Sequence, residues 1–437
     1  MEGARLRYKV DKGKTLLVDG PACVQMLSGD AEVLGAEVKP EMKIVIRQGK
    51  RLPFEARSEF EAELFMGEEA SCVKTDAAAI PNSWRETVND ILSEKKKVVV
   101  LILGGVDSGK TSFCIYLTNS ALRANWKVSV IDCDLGQSDL GPPGTISLRF
   151  VEKPFTDLFT LFPDESVFIG VTSPSRVVNK ILEAAGKLKI EASRRDVDLL
   201  VINTDGWIDG DDAIRYKVSL AETVDPDYIV AIQTGDELNP LISSLKGRKI
   251  ITINSPENIK KRNRETRRLL RGFAYKKHLR GSKVRVFPLS WVKVEGSLNL
   301  SMEKKDQLKE KMQEILKTEI LCCEETSNSI VMVLKKMADL SEETLRTAEM
   351  KIGKKLLVFR EGDEKGLLVS LEDTSGKMLG IGTVHSIDFR SMIIKICTPV
   401  EGAVSKIKIG RIKLDSGGNE KGVLFEDSRY ASMDTDD

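Results

Sequence analysis

Histidine is nearly missing from this sequence of 437 residues: only His278 and His385 occur. Two imidazoles leave little from which to build a His/Cys zinc site, and a Ser/His/Asp triad is equally hard to assemble. The seven cysteines (Cys23, Cys72, Cys114, Cys133, Cys322, Cys323 and Cys397) are scattered, odd in number and contain no Cys-x-x-Cys pair. That usage points to reduced thiols in an intracellular, cytoplasmic protein. Net charge is also scarce. Lys+Arg total 67 against 66 Asp+Glu, a balance of +1, so any nucleic-acid site must come from local clustering. The longest clean apolar run, Val98–Leu103, falls far short of the ~20 residues that cross a bilayer. The opening Met-Glu-Gly-Ala-Arg is followed by no apolar stretch, so neither a membrane anchor nor a signal peptide is expected. What is present is a 41% hydrophobic composition, enough for buried cores, and a length that predicts two to four domains at about 100–200 residues each.

Three textures follow one another along the chain. Residues 1–85 alternate in short strands between Gly turns, as in Leu6–Val10, Thr15–Val18 and Met42–Arg47, which predicts a small β-sandwich or barrel. A helix opens near Pro81 with Ser83 as its cap. From Val98 to about residue 290, apolar strands are expected at Val98–Leu103, Val128–Ile131, Val167–Val171, Leu199–Asn203, Ile229–Gln233 and Ile250–Ile253. Helical patterns at Ser112–Arg123, Arg176–Lys187 and Asp211–Glu222 separate them. This is the signature of an α/β domain with a parallel sheet covered on both faces. Residues 291–437 carry one charged helix, about 303–319, and then short strands, which predicts a second β-rich domain with a frayed end at 426–437. The expected domains are therefore 1–85, 86–290 and 291–437.

Gly104-Gly105-Val106-Asp107-Ser108-Gly109-Lys110-Thr111 fits G-x-x-x-x-G-K-[ST] in full, after an apolar strand and before a helix. Gly104 and Gly109 let backbone N–H groups converge on phosphate oxygens, and the helix N-terminus adds a favourable field. Lys110 can reach the β- and γ-phosphates, and the Thr111 hydroxyl can bind Mg²⁺, with Ser112 closing the loop. A Ras-type GTPase is disfavoured because no Asn-Lys-x-Asp motif occurs. The next strand ends in Asp132-Cys-Asp134-Leu-Gly136-Gln137. Two carboxylates two apart on a strand share a face, so one can hold Mg²⁺ and the other can take a proton from an attacking hydroxyl.

The phosphate loop followed by Asp132-x-Asp134-x-Gly136-Gln137 resembles the Clp1/Grc3 polynucleotide 5′-hydroxyl kinases. Thr204-Asp-Gly206-Trp207 resembles that family's Thr-x-Gly-Trp clasp, Arg262–Arg271 its arginine lid, and Gly170–Pro174 a substrate-side loop. The order of a β-domain, a kinase domain and a second β-domain is similar as well.

The resemblance implies transfer of the γ-phosphate of ATP or GTP, with Mg²⁺, to the 5′ end of single-stranded RNA or DNA, in RNA processing or repair and with RNA-processing protein partners. It implies Asp134 as general base, Lys110 and the lid residues Arg262, Arg267 and Arg271 as catalytic cations, and Thr111 with Asp132 on the metal. Gln137, Thr172, Ser173, Thr204 and Trp207 would bind the acceptor strand.

Physically, Trp207 beside a Gly can serve as a sequence-tolerant stacking platform or as a core anchor under the next helix. Residues 260–280 hold ten Lys/Arg against the single acid Glu265, and Arg is in the majority, as phosphate clamping favours; a solvated helix face is the other reading. Lid register among Arg262, Arg264, Arg267, Arg268 and Arg271 stays open, as do two other functions: a catalytically silent ATP-binding assembly factor and a small-molecule kinase.

Overall fold

The computed structural model describes residues 4–76, 78–94, 97–297, 306–325, 329–335 and 340–423. The polar end 426–437 and the start of the charged helix at 303–305 lie outside the described residues. The chain forms two compact units, one built from residues up to Val167 with Ser173–Leu270, the other from Phe168–Thr172 and the chain from Arg271 onward.

The first unit begins with β1 (Ala4–Val10), β2 (Thr15–Asp19), β3 (Ala22–Ser28), β4 (Ala31–Val33), β5 (Ala36–Val38), β6 (Lys43–Ile46), β7 (Arg51–Ala56), β8 (Phe60–Met66) and β9 (Ser71–Thr75). Among the described residues these form two antiparallel sheets, β1-β8-β3-β6 and β5-β4-β7-β2-β9. Their alternating apolar positions, such as Val24, Met26, Phe60, Ala62 and Leu64, are buried on one face, as period-2 patterning requires.

The chain continues with α1 (Asn82–Leu92), β10 (Val98–Gly104), α2 (Lys110–Arg123), β11 (Val128–Asp132), β12 (Thr145–Val151), β13 (Glu165–Phe168), α3 (Val178–Arg194), β14 (Leu199–Asn203), α4 (Asp211–Val224), β15 (Tyr228–Gln233), α5 (Asn239–Ser244), β16 (Ile250–Asn254) and α6 (Arg264–His278). The sheet order is β13-β12-β11-β14-β10-β15-β16. Strands β11, β14, β10, β15 and β16 run parallel, but β12 runs antiparallel to β11, with Asp132 opposite Ser147. The sheet is therefore mixed at that edge. Strand β12 follows the Gly141-Pro-Pro-Gly144 turn, which reverses the chain instead of sending it through a helical crossover. The strand expected at Val167–Val171 begins earlier, at Glu165.

One apolar core joins the N-terminal sheets to this sheet and to α2. It includes Leu16, Phe54, Trp84, Val100, Phe113, Leu117 and Val230. Trp84 is fully buried against Phe113 at 5.2 Å and donates its indole N–H to the Asn254 carbonyl at 2.8 Å. Ser83 does not cap α1: its hydroxyl accepts the Asn254 N–H at 3.3 Å, and Pro81 holds the cap position.

In the second unit, strands 283–288, 393–398, 378–388, 367–372, 406–414 and 293–296 form one sheet in that order. A smaller sheet of 320–325, 329–334 and 355–360 includes a parallel pair connected through the helix Glu342–Ile352, so this part is not purely β. Among the described residues no helix is long and apolar enough to cross a membrane, and none of the seven cysteines forms a disulfide.

Candidate active site

Strand register sets the site. Ile102 pairs with Asn203, Asp132 pairs with the same Asn203, and Gly104 pairs with Ile232. The carboxyl ends of β10, β11 and β14 therefore emerge side by side, where open α/β sheets place their ligand crevices. The phosphate loop leaves β10 and enters α2 at Gly109, whose φ of 101° lies in the left-handed region. A Cβ at Gly104 would meet Ser108 Oγ at 2.5 Å and the Ile232 carbonyl at 2.8 Å, and one at Gly109 would crowd Pro256, Ile259 and Trp84. Both positions need glycine so that the loop can curl its N–H groups inward. Val106 is exposed at the loop's tip, while Thr111 and Ser112 are half-buried in the first turn of α2.

Lys110 is buried, and its amine donates to the Gly104 and Gly105 carbonyls at 2.9 and 2.6 Å. Burial pulls its pKa down to about 8, partly opposed by the negative charge of Asp134 and assisted by Lys217. Asp134 shows the opposite shift. Burial first, then the charges of Asp205 and Asp132, push its pKa up to about 7, against the Gln137 N–H and Lys110. Its Oδ1 accepts the Gly136 and Gln137 N–H groups at 3.0 and 2.8 Å. A carboxylate poised near neutrality beside a phosphate loop can accept a proton at working pH.

Asp132, expected on the metal, is held from several sides within the fold. Its Oδ1 accepts from Asn203 Nδ2 (3.0 Å) and the Asp134 N–H (3.3 Å). Its Oδ2 accepts from Ser138 Oγ (3.1 Å) and the N–H groups of Asp139 (3.1 Å) and Leu140 (3.4 Å). Five donors on a carboxylate only 1% exposed make it the organiser of the 134–140 loop. Thr204, expected at the acceptor strand, is fully buried, and its hydroxyl donates to the Ile102 carbonyl at 2.8 Å, which fastens β14 to β10.

Gln137 donates to the Gly136 carbonyl at 2.7 Å and to the Arg267 carbonyl at 3.4 Å, which ties the catalytic loop to the lid. Trp207 is half-buried, and its ring stacks on Tyr216 of α4 at 5.9 Å and 27°. The ring thus leans on the following helix while part of its surface stays exposed. Gly206 brings this clasp against the phosphate loop, since a Cβ there would lie 2.8 Å from Val106 N and Cα.

The basic run enters the helix α6 (Arg264–His278), with Arg262 just before its start. Arg262 donates its backbone N–H to Asp107 Oδ2 at 2.9 Å and its Nε to the Gly49 carbonyl at 3.1 Å. Arg267 Nη2 donates to the same Asp107 oxygen at 3.0 Å. Two lid arginines therefore sit on the phosphate loop itself. Arg271 belongs to the other compact unit and pairs with Glu420 at 2.5 Å. Thr172 also belongs to that unit, next to Gly170, which abuts Gly410, whereas Ser173 is exposed in the first unit with Ser175 Oγ at 3.3 Å.

The sequence reading overlooked an N-terminal contribution. At the β6–β7 turn, Arg47 donates to Asp139 Oδ1 at 2.9 Å and to Asp157 Oδ2 at 2.7 Å, lies 3.8 Å from the Phe159 ring centroid, and is joined by Lys50, which pairs with Asp139. Asp205 and Lys217 were also missed, although Asp205 stands inside the clasp motif. No local signal marks Arg47, because its partners lie 92 and 110 residues away.

Comparisons with known proteins agree with this geometry. The family model described as the mRNA cleavage and polyadenylation factor CLP1 P-loop matches residues 104–281. A polyribonucleotide 5′-hydroxyl kinase of Pyrococcus abyssi is 33% identical over 350 residues, covering 79% of this chain and 96% of that protein. One of Pyrococcus furiosus is 30% identical over 349 residues, with 79% and 96% covered. One of Methanocaldococcus jannaschii is 28% identical over 356 residues, with 80% and 96% covered. Among solved structures, Clp1p in its complex with Pcf11p superposes with a TM-score of 0.66 at 12% identity, covering 94% of this chain and 99% of that one, which is a likeness of fold.

Proposed function

The chain belongs to the Clp1-type family of polyribonucleotide 5′-hydroxyl kinases, and from that premise we propose that it transfers the γ-phosphate of ATP to the 5′-hydroxyl of RNA. The observation that carries the reading is the pairing of a glycine-shaped phosphate cradle and its buried Lys110 with Asp134, a carboxyl lifted to about 7. Asp134 accepts the hydroxyl proton as the new O–P bond forms, and the bond from the γ-phosphorus to the bridging oxygen breaks to release the diphosphate. Lys110 and the lid residues Arg262 and Arg267 meet the charge that spreads over the transferring group. Electrostatic positioning of this kind carries most of phosphoryl-transfer catalysis.

A divalent ion, Mg²⁺ in this proposal, fits the first turn of α2, where Thr111 would hold it. Bound there, it would neutralise charge on the phosphate oxygens. Trp207 stacks the terminal base, and Gln137 and Ser173 bind the acceptor backbone. Residues 86–290 do the chemistry in this division, 1–85 brace the catalytic loop, and 291–437 form a β-rich flank. Because Clp1p forms a complex with Pcf11p, an RNA-processing protein is the expected kind of partner.

The test is phosphate transfer from labelled ATP or GTP to matched 5′-hydroxyl RNA and DNA oligonucleotides. Transfer to RNA, lost in Lys110→Ala with the fold retained, is expected. Nucleotide binding without transfer to either acceptor would favour the silent assembly factor instead.

A further inference from the structure

We infer that Asp205 is a positioning residue for the acceptor strand: braced by Tyr216 and Lys217, it sets the Trp207 ring in its stacking orientation. The inference rests on the kinase reading above and adds to it a device that the motif alone does not reveal.

Asp205 is the most heavily engaged side chain of the clasp. Its Oδ1 accepts the Trp207 N–H at 2.9 Å, and its Oδ2 accepts the Tyr216 hydroxyl at 2.8 Å. The Lys217 amine lies 3.0 Å from the same Oδ2 and donates to the Asp205 backbone carbonyl at 3.0 Å. Both the side chain and the main chain of the turn are thereby held by two consecutive residues of α4. Lys217 is fully buried, with its amine 4.6 Å from the Tyr216 ring centroid, and Tyr216 is only 1% exposed.

A buried ion pair is a poor way to gain stability, because desolvation offsets most of the attraction and well-packed apolar residues do as well. What such a pair does supply is a fixed geometry. Here the fixed object is the Trp207 backbone, one residue beyond Gly206, with the indole laid over Tyr216. The same helix therefore supplies the floor under the ring and the amine that locks the turn carrying it. A ring already in place spends no rotamer freedom on meeting a base.

The test is steady-state kinetics on the full chain with a 5′-hydroxyl oligoribonucleotide and ATP, together with anisotropy of a 3′-labelled oligonucleotide. Asp205→Asn should raise oligonucleotide KM and Kd by roughly 5- to 150-fold, the range for one lost stacked base, and leave the KM for ATP in place. In a Trp207→Ala background the same substitution should add nothing further, since its effect passes through that ring.

Additive effects, or an unchanged oligonucleotide Kd in Asp205→Asn, overturn the inference. Should Asp205→Asn fail to fold, Tyr216→Phe and Tyr216→Leu replace it. Phe keeps the ring as a floor but removes the hydroxyl that braces Asp205, so it should raise the oligonucleotide Kd, and Leu, which loses the floor too, should raise it further. Wild-type binding by Tyr216→Phe overturns the inference as well. Failure of the kinase reading looks different: the wild-type chain transfers no phosphate, while anisotropy still reports whether Asp205 and Trp207 are coupled.

Discussion

Asp132 and Asp134 sit two residues apart at the end of one strand, yet they meet different partners. Asp132 is saturated by five donors, whereas only one oxygen of Asp134 is engaged by its two loop N–H groups. Asp134→Asn should lower kcat by about 10²- to 10⁴-fold, the usual worth of a general base. The pH profile of kcat/KM should rise through about 7 as Asp134 ionises and fall through about 8 as Lys110 of the free enzyme loses its proton. The Asn variant should lose the rising limb. Asp132→Asn should act on the fold instead, because an amide N–H₂ would face groups that are themselves donors. A loss of about 1–3 kcal/mol, seen as a lower Tm, is expected. A normal Tm combined with collapsed activity would return Asp132 to the chemistry.

At the scale of elements, the phosphate loop is gripped from two sides. The clasp approaches at Gly206 over Val106, and the lid approaches through Arg262 and Arg267 on Asp107. The clasp turn and the basic run are thereby both mounted on the phosphate loop. Gly206→Ala would drive a methyl to within 2.8 Å of the Val106 backbone, and backbone cannot rotate aside as a side chain can. The expected cost is about 1–3 kcal/mol of stability, typical of overpacking, with a raised KM for ATP because the phosphate loop must shift. An unaltered KM for ATP in that variant would mean that the clasp can retreat without disturbing the loop.

Across the whole molecule, the N-terminal sheets and the kinase sheet share a core and a buried ion network. Arg47 lies between Asp139 and Asp157, with side chains about a tenth exposed. Arg47→Met would take the cation from Asp157 and leave Asp139 to Lys50, and breaking a buried pair costs about 3–5 kcal/mol; chemical denaturation of the variant should read that loss. Burial alone would raise the pKa of Asp139, but Lys50 and Arg47 outweigh it and hold the pKa below the ordinary carboxylate value of 3.8. The network's contribution is therefore complete above about pH 4 and fades as acid protonates Asp139. Arg47→Met should accordingly show a shallower loss of stability than the wild type as pH is lowered below about 4.

What the sequence determined by itself was whatever is encoded locally. The phosphate loop was legible because tight turns, a strand before and a helix after are all properties of neighbouring residues, and Leu199–Asn203 emerged with the bounds read from its apolar run. The turn at Thr204–Trp207 and the basic run at 260–280 were visible for the same reason. Tertiary structure alone decided how equivalent groups divide their work. Asp132 and Asp134 are indistinguishable as letters, and only the fold brings Asn203 and Ser138 to one of them. Thr204 could have faced solvent until β10 offered it the Ile102 carbonyl. The antiparallel β12, the Arg47 network and the Lys217 brace all depend on partners distant in sequence. Burial and charge pairing belong to space and not to order along the chain, so the raised pKa of Asp134 and the lowered pKa of Lys110 exist only once the sheet has assembled around them.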